Sequence, residues 1–271
     1  MDKGKHGFRG SIPLLILEIC VLLIAIGVMY VVVTMTSEVN HKNIDEGNIV
    51  INEEIVNKKT AEVKQPEKKK EEVKKKGYRN IALFGVDARN GELGRGTRSD
   101  TIMIASINQD TQEIKLISVF RDTYLNLSND SYNKCNTAYA QGGPEQAINM
   151  LNMNLDLDIT DYVTIGFSGL IDAVDALGGV EIEVTDSEIS HLNNYQLCMA
   201  EELGVDYIPV EKSGRQVLNG MQATAYCRIR YTKGDDFRRA ERQRDVLRAM
   251  MDKAGGASVS TLTDMVNAVL P

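Results

Sequence analysis

The sequence predicts a membrane-anchored domain of the α/β or α+β class, in which a layered, mixed β-sheet is flanked by helices and preceded by one transmembrane helix. Three observations predict it. A long apolar run lies near the N-terminus. A charged, low-complexity stretch follows it. The remaining 194 residues mix short apolar runs of strand length with segments of helical period.

Residues 12–33 form a 22-residue run with one charge, Glu18. At 1.5 Å per residue it reaches about 33 Å, enough to cross a hydrocarbon core. A cleaved signal peptide would have a shorter apolar region ending at a small-residue site. Here the run continues through Met29-Tyr30-Val31-Val32-Val33 with no such site. The reading is an uncleaved anchor over 12–34. Glu18 reads as a tolerated polar residue, because a lone span has no bundle interior to face. Lys3, Lys5 and Arg9 in the 1–11 tail favour a cytoplasmic N-terminus, which places everything from residue 35 outside the cell membrane.

Residues 35–77 read as an extracytoplasmic stalk. Within 41–77 there are 10 Lys and 8 acids, in mixed blocks such as Glu67-Lys68-Lys69-Lys70-Glu71-Glu72. Such a composition cannot bury a core of its own and stays solvated. Ile44, Ile51 and Ile55 have heptad-like spacing, but the run is too short for a coiled coil.

Residues 78–271 are long enough for one real core. Residues 80–86 predict a first strand. Residues 101–107 and 113–119 predict two more around the turn Asn108-Gln109-Asp110. Residues 121–127 alternate apolar and polar and predict another strand. Pro144 opens a predicted helix over 144–155, with Ala147, Ile148, Leu151 and Leu155 at helical spacing. Residues 162–167 predict a strand, 168–177 a helix stopped by Gly178-Gly179, and 180–184 a strand. Residues 186–213 read as mixed and irregular. A helix over 219–226, an extended 227–231, and amphipathic helices over 239–253 and 258–270 complete the domain.

The full chain carries 31 basic and 38 acidic side chains, a net charge of −7, and the outer domain alone holds 18 basic against 27 acidic. That excludes a nucleic-acid binder, which would carry a basic surplus. Cysteine says little. Cys20 is in the span, and the odd set Cys135, Cys198 and Cys227 cannot all pair within one chain. No C-x-x-C spacing is present, and His191 is the outer domain's single histidine, which removes most His-based triads and metal sites.

The outer domain nevertheless prefers arginine to lysine, 13 to 5, while the stalk uses lysine alone. Arginine's planar fork suits phosphate oxygens and never loses its charge. The arginines cluster as Arg89, Arg95 and Arg98; Arg121; Arg228 and Arg230; and Arg238, Arg239, Arg242 and Arg244. On a strand over 227–231, Arg228 and Arg230 share a face. On the following helix Arg239, Arg242 and Gln243 do. Any one of these serves most simply as a surface ion-pair partner, but as a set beside strand ends they describe an anion site. Asp87 follows the first strand, Asp100 precedes the second, and Asp122 adjoins Arg121. Singly, each is an ordinary turn or capping residue. Together, Asp87 and Asp100 can share one hard cation such as Mg2+, completed by water and phosphate. Arginines beside a carboxylate-held metal describe phosphoryl transfer.

These residues carry a resemblance. Gly85-Val86-Asp87-Ala88-Arg89, Arg98-Ser99-Asp100-Thr101, Ile117-Ser118-Val119-Phe120-Arg121-Asp122-Thr123-Tyr124, Asn136-Thr137-Ala138-Tyr139 and Gly142-Gly143-Pro144 occur in order. They are followed by Val174-Asp175-Ala176-Leu177-Gly178-Gly179-Val180, Leu218-Asn219-Gly220, Arg228-Ile229-Arg230, Asp236-Phe237-Arg238-Arg239 and Arg242-Gln243. Over most of residues 79–250 the chain resembles the catalytic domain of the LytR–CpsA–Psr family. The resemblance implies an apolar pocket for a polyprenyl chain. It also implies an enzyme of the Gram-positive envelope that moves a glycopolymer (teichoic acid, capsule or another) from undecaprenyl pyrophosphate to peptidoglycan. By motif, Asp87 and Asp100 would hold magnesium. Arg89, Arg98, Arg121, Arg228, Arg230 and Arg239 would grip the pyrophosphate, with Asp236 and Gln243 beside it. Arg121 would be the main catalytic residue and Asp122 the reserve general base.

Phe120 stands where the family often has Pro, and Arg238 where its pattern has Gly. Spacing to Asp236 and Gln243 selects Arg239 over Arg238 as the phosphate-facing residue. The chain stops at Pro271, earlier than the resemblance leads one to expect. Two other functions share these residues: a polyprenyl-pyrophosphate hydrolase using water in place of the sugar, and a non-catalytic envelope regulator.

Overall fold

The computed structural model describes residues 46–51, 77–87, 93–230 and 235–269, all within one compact unit spanning Asn43–Val269. The predicted anchor over 12–34, most of the predicted stalk and Arg89 lie outside the described residues.

A four-stranded mixed sheet forms the first layer. Strand β1 (Tyr78–Val86) pairs antiparallel with β2 (Ser99–Asn108) and parallel with β6 (Asp161–Ile165). Strand β3 (Ile114–Ser118) pairs antiparallel with β2, giving the order β3-β2-β1-β6. The β2–β3 connection is the predicted turn: Asn108 Oδ1 accepts from the backbone N–H groups of Asp110 and Thr111. A short ribbon, β4 (Tyr124–Asn126) with β5 (Tyr132–Lys134), leads into helix α1 (Asn136–Leu155). Phe84, Ile104, Leu127, Tyr139, Ile148 and Leu151 bury one face of the sheet against α1. Gly143 takes φ 71° and ψ −157°, which breaks α1 there, and Pro144 begins its second segment, as its fixed φ allows.

The second half packs α2 (Phe167–Ala176), α3 (Asp186–Leu203), α4 (Gly220–Arg228), α5 (Asp235–Gly255) and α6 (Val259–Val269) around a two-stranded ribbon of β7 (Val180–Val184) and β8 (Gly214–Leu218). Its own core contains Val174, Val180, Leu192, Leu218, Tyr226 and Val246.

Four expectations need correction. Residues 186–213 are not irregular, because 186–203 form α3. Its start is written in the sequence as Thr185-x-x-Glu188, a capping box in which the backbone N–H of Thr185 donates to Glu188 Oε2 at 2.9 Å. The extended segment over 227–231 is absent among its described residues. The Asn219 cap starts α4, and the helix continues through Arg228, so strand alternation does not orient Arg228 and Arg230. Arg121 and Asp122 sit in a turn, with the backbone N–H of Thr123 donating to Phe120 O at 2.9 Å, and the strand begins only at Tyr124. Finally, part of the predicted stalk docks on the domain. Asn149 on α1 accepts from Val50 N–H at 2.9 Å and donates to Asn48 O at 3.0 Å, while Ile49 packs onto the first core. A segment too polar for its own core borrows one from its neighbour.

Candidate active site

Two carboxylates emerge at one end of the central strands because of a β-bulge. The β1–β2 register passes from Gly85 opposite Thr101 to Val86 opposite Ser99, leaving Asp100 as the extra residue. Bulges re-aim the side chain they carry. Gly85 is required there, because a Cβ would lie 2.8 Å from Thr101 Cβ. Asp87 follows β1 directly, so it opens at the same end as Asp100.

Arg121 comes from the turn after β3, and that turn is pinned from behind. The backbone N–H of Asn136 donates to Arg121 O at 3.2 Å, and the buried Cys135 thiol donates to Phe120 O at 3.2 Å. Burial pushes the Cys135 thiol up to about 11, so it remains a protonated donor. No local residue pattern announces this role.

Arg121 Nη1 donates to Asp100 Oδ1 at 2.7 Å, and Arg230 Nη2 lies 4.0 Å from Asp100 Oδ2. Arg239 Nη2 reaches Asp100 O and Asp236 Oδ1, each at 3.4 Å. Asp100 is therefore the hub of three guanidinium groups. The balance still favours positive charge. Among the described residues, buried N–H groups at Arg121 Nε, Arg228 Nη1 and Arg239 Nε have no hydrogen-bond partner. Arg239 is held below the usual arginine range, first by burial and then by the like charges of Arg230 and Arg121. Burial acts to lower Arg121 too, but its bond to Asp100 and the nearby carboxylates outweigh it and raise the value. Unsatisfied buried donors cost about 1–3 kcal/mol each, so this cluster is arranged for an anion.

The cluster closes one end of a cavity of about 410 Å³ lined by Asp87, Asp100, Arg121, Arg228, Arg230, Arg239 and Gln243. The rest of its wall is mostly apolar and includes Leu83, Met103, Ile165, Leu170, Leu247 and Met250. Sequence reasoning named none of these, because apolar side chains on strands and helices look like core residues until the fold leaves space between them. It also missed Phe167 and Tyr195, whose rings lie 4.4 Å and 5.4 Å from the Arg228 guanidinium carbon and hold that side chain in the wall.

A second cavity, of about 340 Å³, shares Asp100, Arg121, Arg239 and Gln243 with the first and is completed by Asp122, Asp236, Phe120 and Phe237 among others. Asp122 is held below the usual carboxylate range, chiefly by its bond to Lys134 at 3.1 Å. Arg98 is exposed and lines neither cavity. Arg238 turns away from both and pairs with Glu241 at 2.8 Å, while Arg239 lines both.

Such a site can hold a molecule with a long apolar body and a compact, multiply charged anionic head. The chain belongs to the LytR_cpsA_psr family, whose model matches residues 46–271. It is 34% identical over 191 residues to a polyisoprenyl-teichoic acid–peptidoglycan teichoic acid transferase TagU of Oceanobacillus iheyensis, covering 68% of this chain and 53% of that one. It is 32% identical over 194 residues to a TagU of Enterococcus faecalis, covering 70% and 58%. The chain thus spans about half the length of the curated relatives it matches. Its fold is similar to that of TagT bound to LI-WTA, with a TM-score of 0.57 and 26% identity over 75% of this chain and 79% of that one.

Proposed function

We propose that this chain is a phosphotransferase that moves an anionic glycopolymer from a polyprenyl-pyrophosphate carrier to peptidoglycan, forming a phosphodiester. The observation that carries the reading is the joining of two unlike surfaces: an apolar cavity, and at its end a guanidinium cluster with unpartnered buried N–H groups. The names of the transferase relatives support the same reaction class. Here the apolar wall holds the prenyl chain, and Arg121, Arg228, Arg230 and Arg239 receive the pyrophosphate. Arg121 faces the charge that develops as the bond between the two phosphorus groups breaks. Arg239 and Gln243 fix the phosphate on the side shared by the two cavities. Asp122 is the reserve candidate for taking the proton of an attacking hydroxyl, and its bond to Lys134 keeps it a weak base.

Two hard carboxylates at adjoining strand ends are a donor set that suits magnesium. Asp87 and Asp100 would hold the ion, which would supply neutralisation of pyrophosphate charge. We also place the chain at the membrane through an uncleaved 12–34 anchor, with its catalytic domain outside the cell. N-terminal sequencing of membrane-extracted protein checks this: a mature chain beginning near residue 35 overturns it.

The deciding experiment incubates lipid-linked glycopolymer with peptidoglycan fragments and looks for a covalent phosphodiester product. That product is the expected result. Release of a free phosphorylated polymer alone would make the protein a hydrolase, and no turnover of a bound donor would leave it a non-catalytic binder.

A further inference from the structure

The second cavity sets an exposed phenyl ring beside two carboxylates. Phe237 is 68% exposed, and its ring meets Phe120 edge-on at 4.5 Å between centroids. Across the same cavity lie the carboxylates of Asp122 and Asp236 and the hydroxyl-bearing Thr123. Carboxylates accept hydrogen bonds from hydroxyl groups. An exposed aromatic face attracts the weakly positive C–H face of a sugar ring through its quadrupole. A flat ring beside two carboxylates, Asp122 held by Lys134 and Asp236 by Arg239, therefore fits a carbohydrate better than it fits a lipid.

The position of this cavity is as informative as its lining. Along β2, Thr101 and Met103 line the apolar cavity, whereas Ile102 lines the second one. The two cavities therefore meet at this end of β2, where Phe84, the partner of Ile102 on β1, also lines the first. Between them stand Asp100, Arg121, Arg239 and Gln243, common to both. In phosphoryl transfer the attacking and leaving oxygens lie roughly in line through phosphorus. A leaving group held in the apolar cavity requires its nucleophile to enter from the other side of that shared wall.

We infer that the second cavity, built on Phe237, Phe120, Asp122 and Asp236, is the subsite for the acceptor sugar of the glycan strand. This deepens the transferase reading and rests on it. The acceptor's hydroxyl oxygen forms a new bond to the phosphorus that carries the polymer. The bond from that phosphorus to the bridging oxygen breaks, and its electron pair leaves with the prenyl monophosphate in the apolar cavity. The hydroxyl proton passes to Asp122. Phe237 touches the sugar ring and not the reacting atoms, so its contribution is to acceptor affinity.

The test uses the full-length protein in detergent, a prenyl-pyrophosphate-linked glycopolymer as donor and a soluble peptidoglycan tetrasaccharide as acceptor. Wild type, Phe237→Ala and Phe237→Tyr are compared for acceptor KM, kcat and donor Kd. The exposure of Phe237 makes loss of folding in these variants easy to exclude by circular dichroism. Loss of an aromatic face contact should raise acceptor KM about tenfold in Phe237→Ala. Donor Kd should stay put, and Phe237→Tyr should restore KM. An unchanged acceptor KM in Phe237→Ala overturns the inference. So does a rise in donor Kd matching the rise in KM, which would assign the cavity to the donor's own sugar. Both results leave wild-type turnover intact, whereas absence of phosphodiester product in the wild type overturns the transferase reading and this inference with it.

Discussion

Arg239 and Arg242 lie one helical turn apart on α5 and are both nearly inaccessible, at 6% and 1% exposure. Their surroundings differ completely. Arg242 Nε donates to Glu188 Oε1 at 2.8 Å and its Nη1 to Ile229 O at 3.0 Å, with the Tyr226 ring 5.8 Å away. Glu188 in turn caps α3 through Thr185. Arg239 has only long contacts, an unpartnered Nε and two like-charged neighbours. The same residue type, similarly buried on one helix, is in one case a satisfied tie between α5 and α3 and in the other a donor with unmet hydrogen-bonding capacity. Burial alone does not identify a functional arginine; unmet hydrogen-bonding capacity does.

The comparison is sharpened first by Arg242→Met. Removing one partner of a buried pair leaves Glu188 with Thr185 and, at 3.9 Å, Arg238, and should cost about 3 kcal/mol in urea unfolding, the low end for such a pair. A loss below about 1 kcal/mol would dissolve the distinction, since that is the range of a surface pair. The pH dependence has a definite sign. Burial alone would raise Glu188, but its bonds to Thr185 and Arg242 prevail and hold it below its ordinary 4.5. The pair thus contributes stability present above the unfolded value and lost as pH falls through the folded one. The deficit of Arg242→Met should therefore narrow as pH drops below about 4.5, where protonation discharges the carboxylate.

Next comes Arg121, the site arginine with the shortest bond. Arg121→Ala should lower turnover on the order of 10²–10³-fold, as removal of a transition-state donor does. Arg121→Lys keeps the charge but loses the fork and should be nearly as impaired. Circular dichroism should show both folded, and both should still bind the prenyl chain, whose affinity comes from apolar burial. Turnover within about threefold of wild type in Arg121→Ala, against that expectation, would reduce Arg121 to an ion-pair partner of Asp100.

Asp87→Ala and Asp100→Ala should each lower magnesium-dependent turnover by at least about 10–100-fold, the range for losing even an outer partner of a metal's ligands. Wild-type rates for the double variant in chelator would show that these carboxylates position arginines and hold no metal.

The smallest expected change is in the stability of Arg239→Met. Removing a buried, poorly paired cation beside Arg121 and Arg230 should leave unfolding free energy unchanged or raise it by about 1 kcal/mol, while phosphate-head binding is lost. A cost approaching that of Arg242→Met would place both arginines in the same structural class and remove the contrast.

Much of the fold was legible locally. The β2–β3 turn, the Gly178-Gly179 stop and the Asn219 cap are short-range signals, and each marks an observed boundary. Strand β8 was missed because Gly214–Leu218 has little to bury until it pairs with β7. Helix α3 was missed because a polar sequence concealed a cap that was plainly written at Thr185 and Glu188. The strand expected at Arg121 gave way to a turn that Cys135 and Asn136 pin from behind, a long-range effect.

By itself the sequence determined the charged side chains available to a site, the strand ends from which Asp87 and Asp100 emerge, and the preference for arginine over lysine outside the stalk. These depend on residue type and near-neighbour spacing, which a chain carries before it folds. Only the tertiary structure decided which arginines are spent on the protein and which face a ligand. Spacing separated Arg239 from Arg238, but only the fold shows that Arg98 is exposed, that Arg238 pairs with Glu241, that Arg239 lines both cavities and that Arg242 is tied to Glu188. The reason is that hydrogen-bond satisfaction and empty space are properties of what surrounds a side chain, and those surroundings come from segments up to 139 residues apart, as between Arg239 and Asp100.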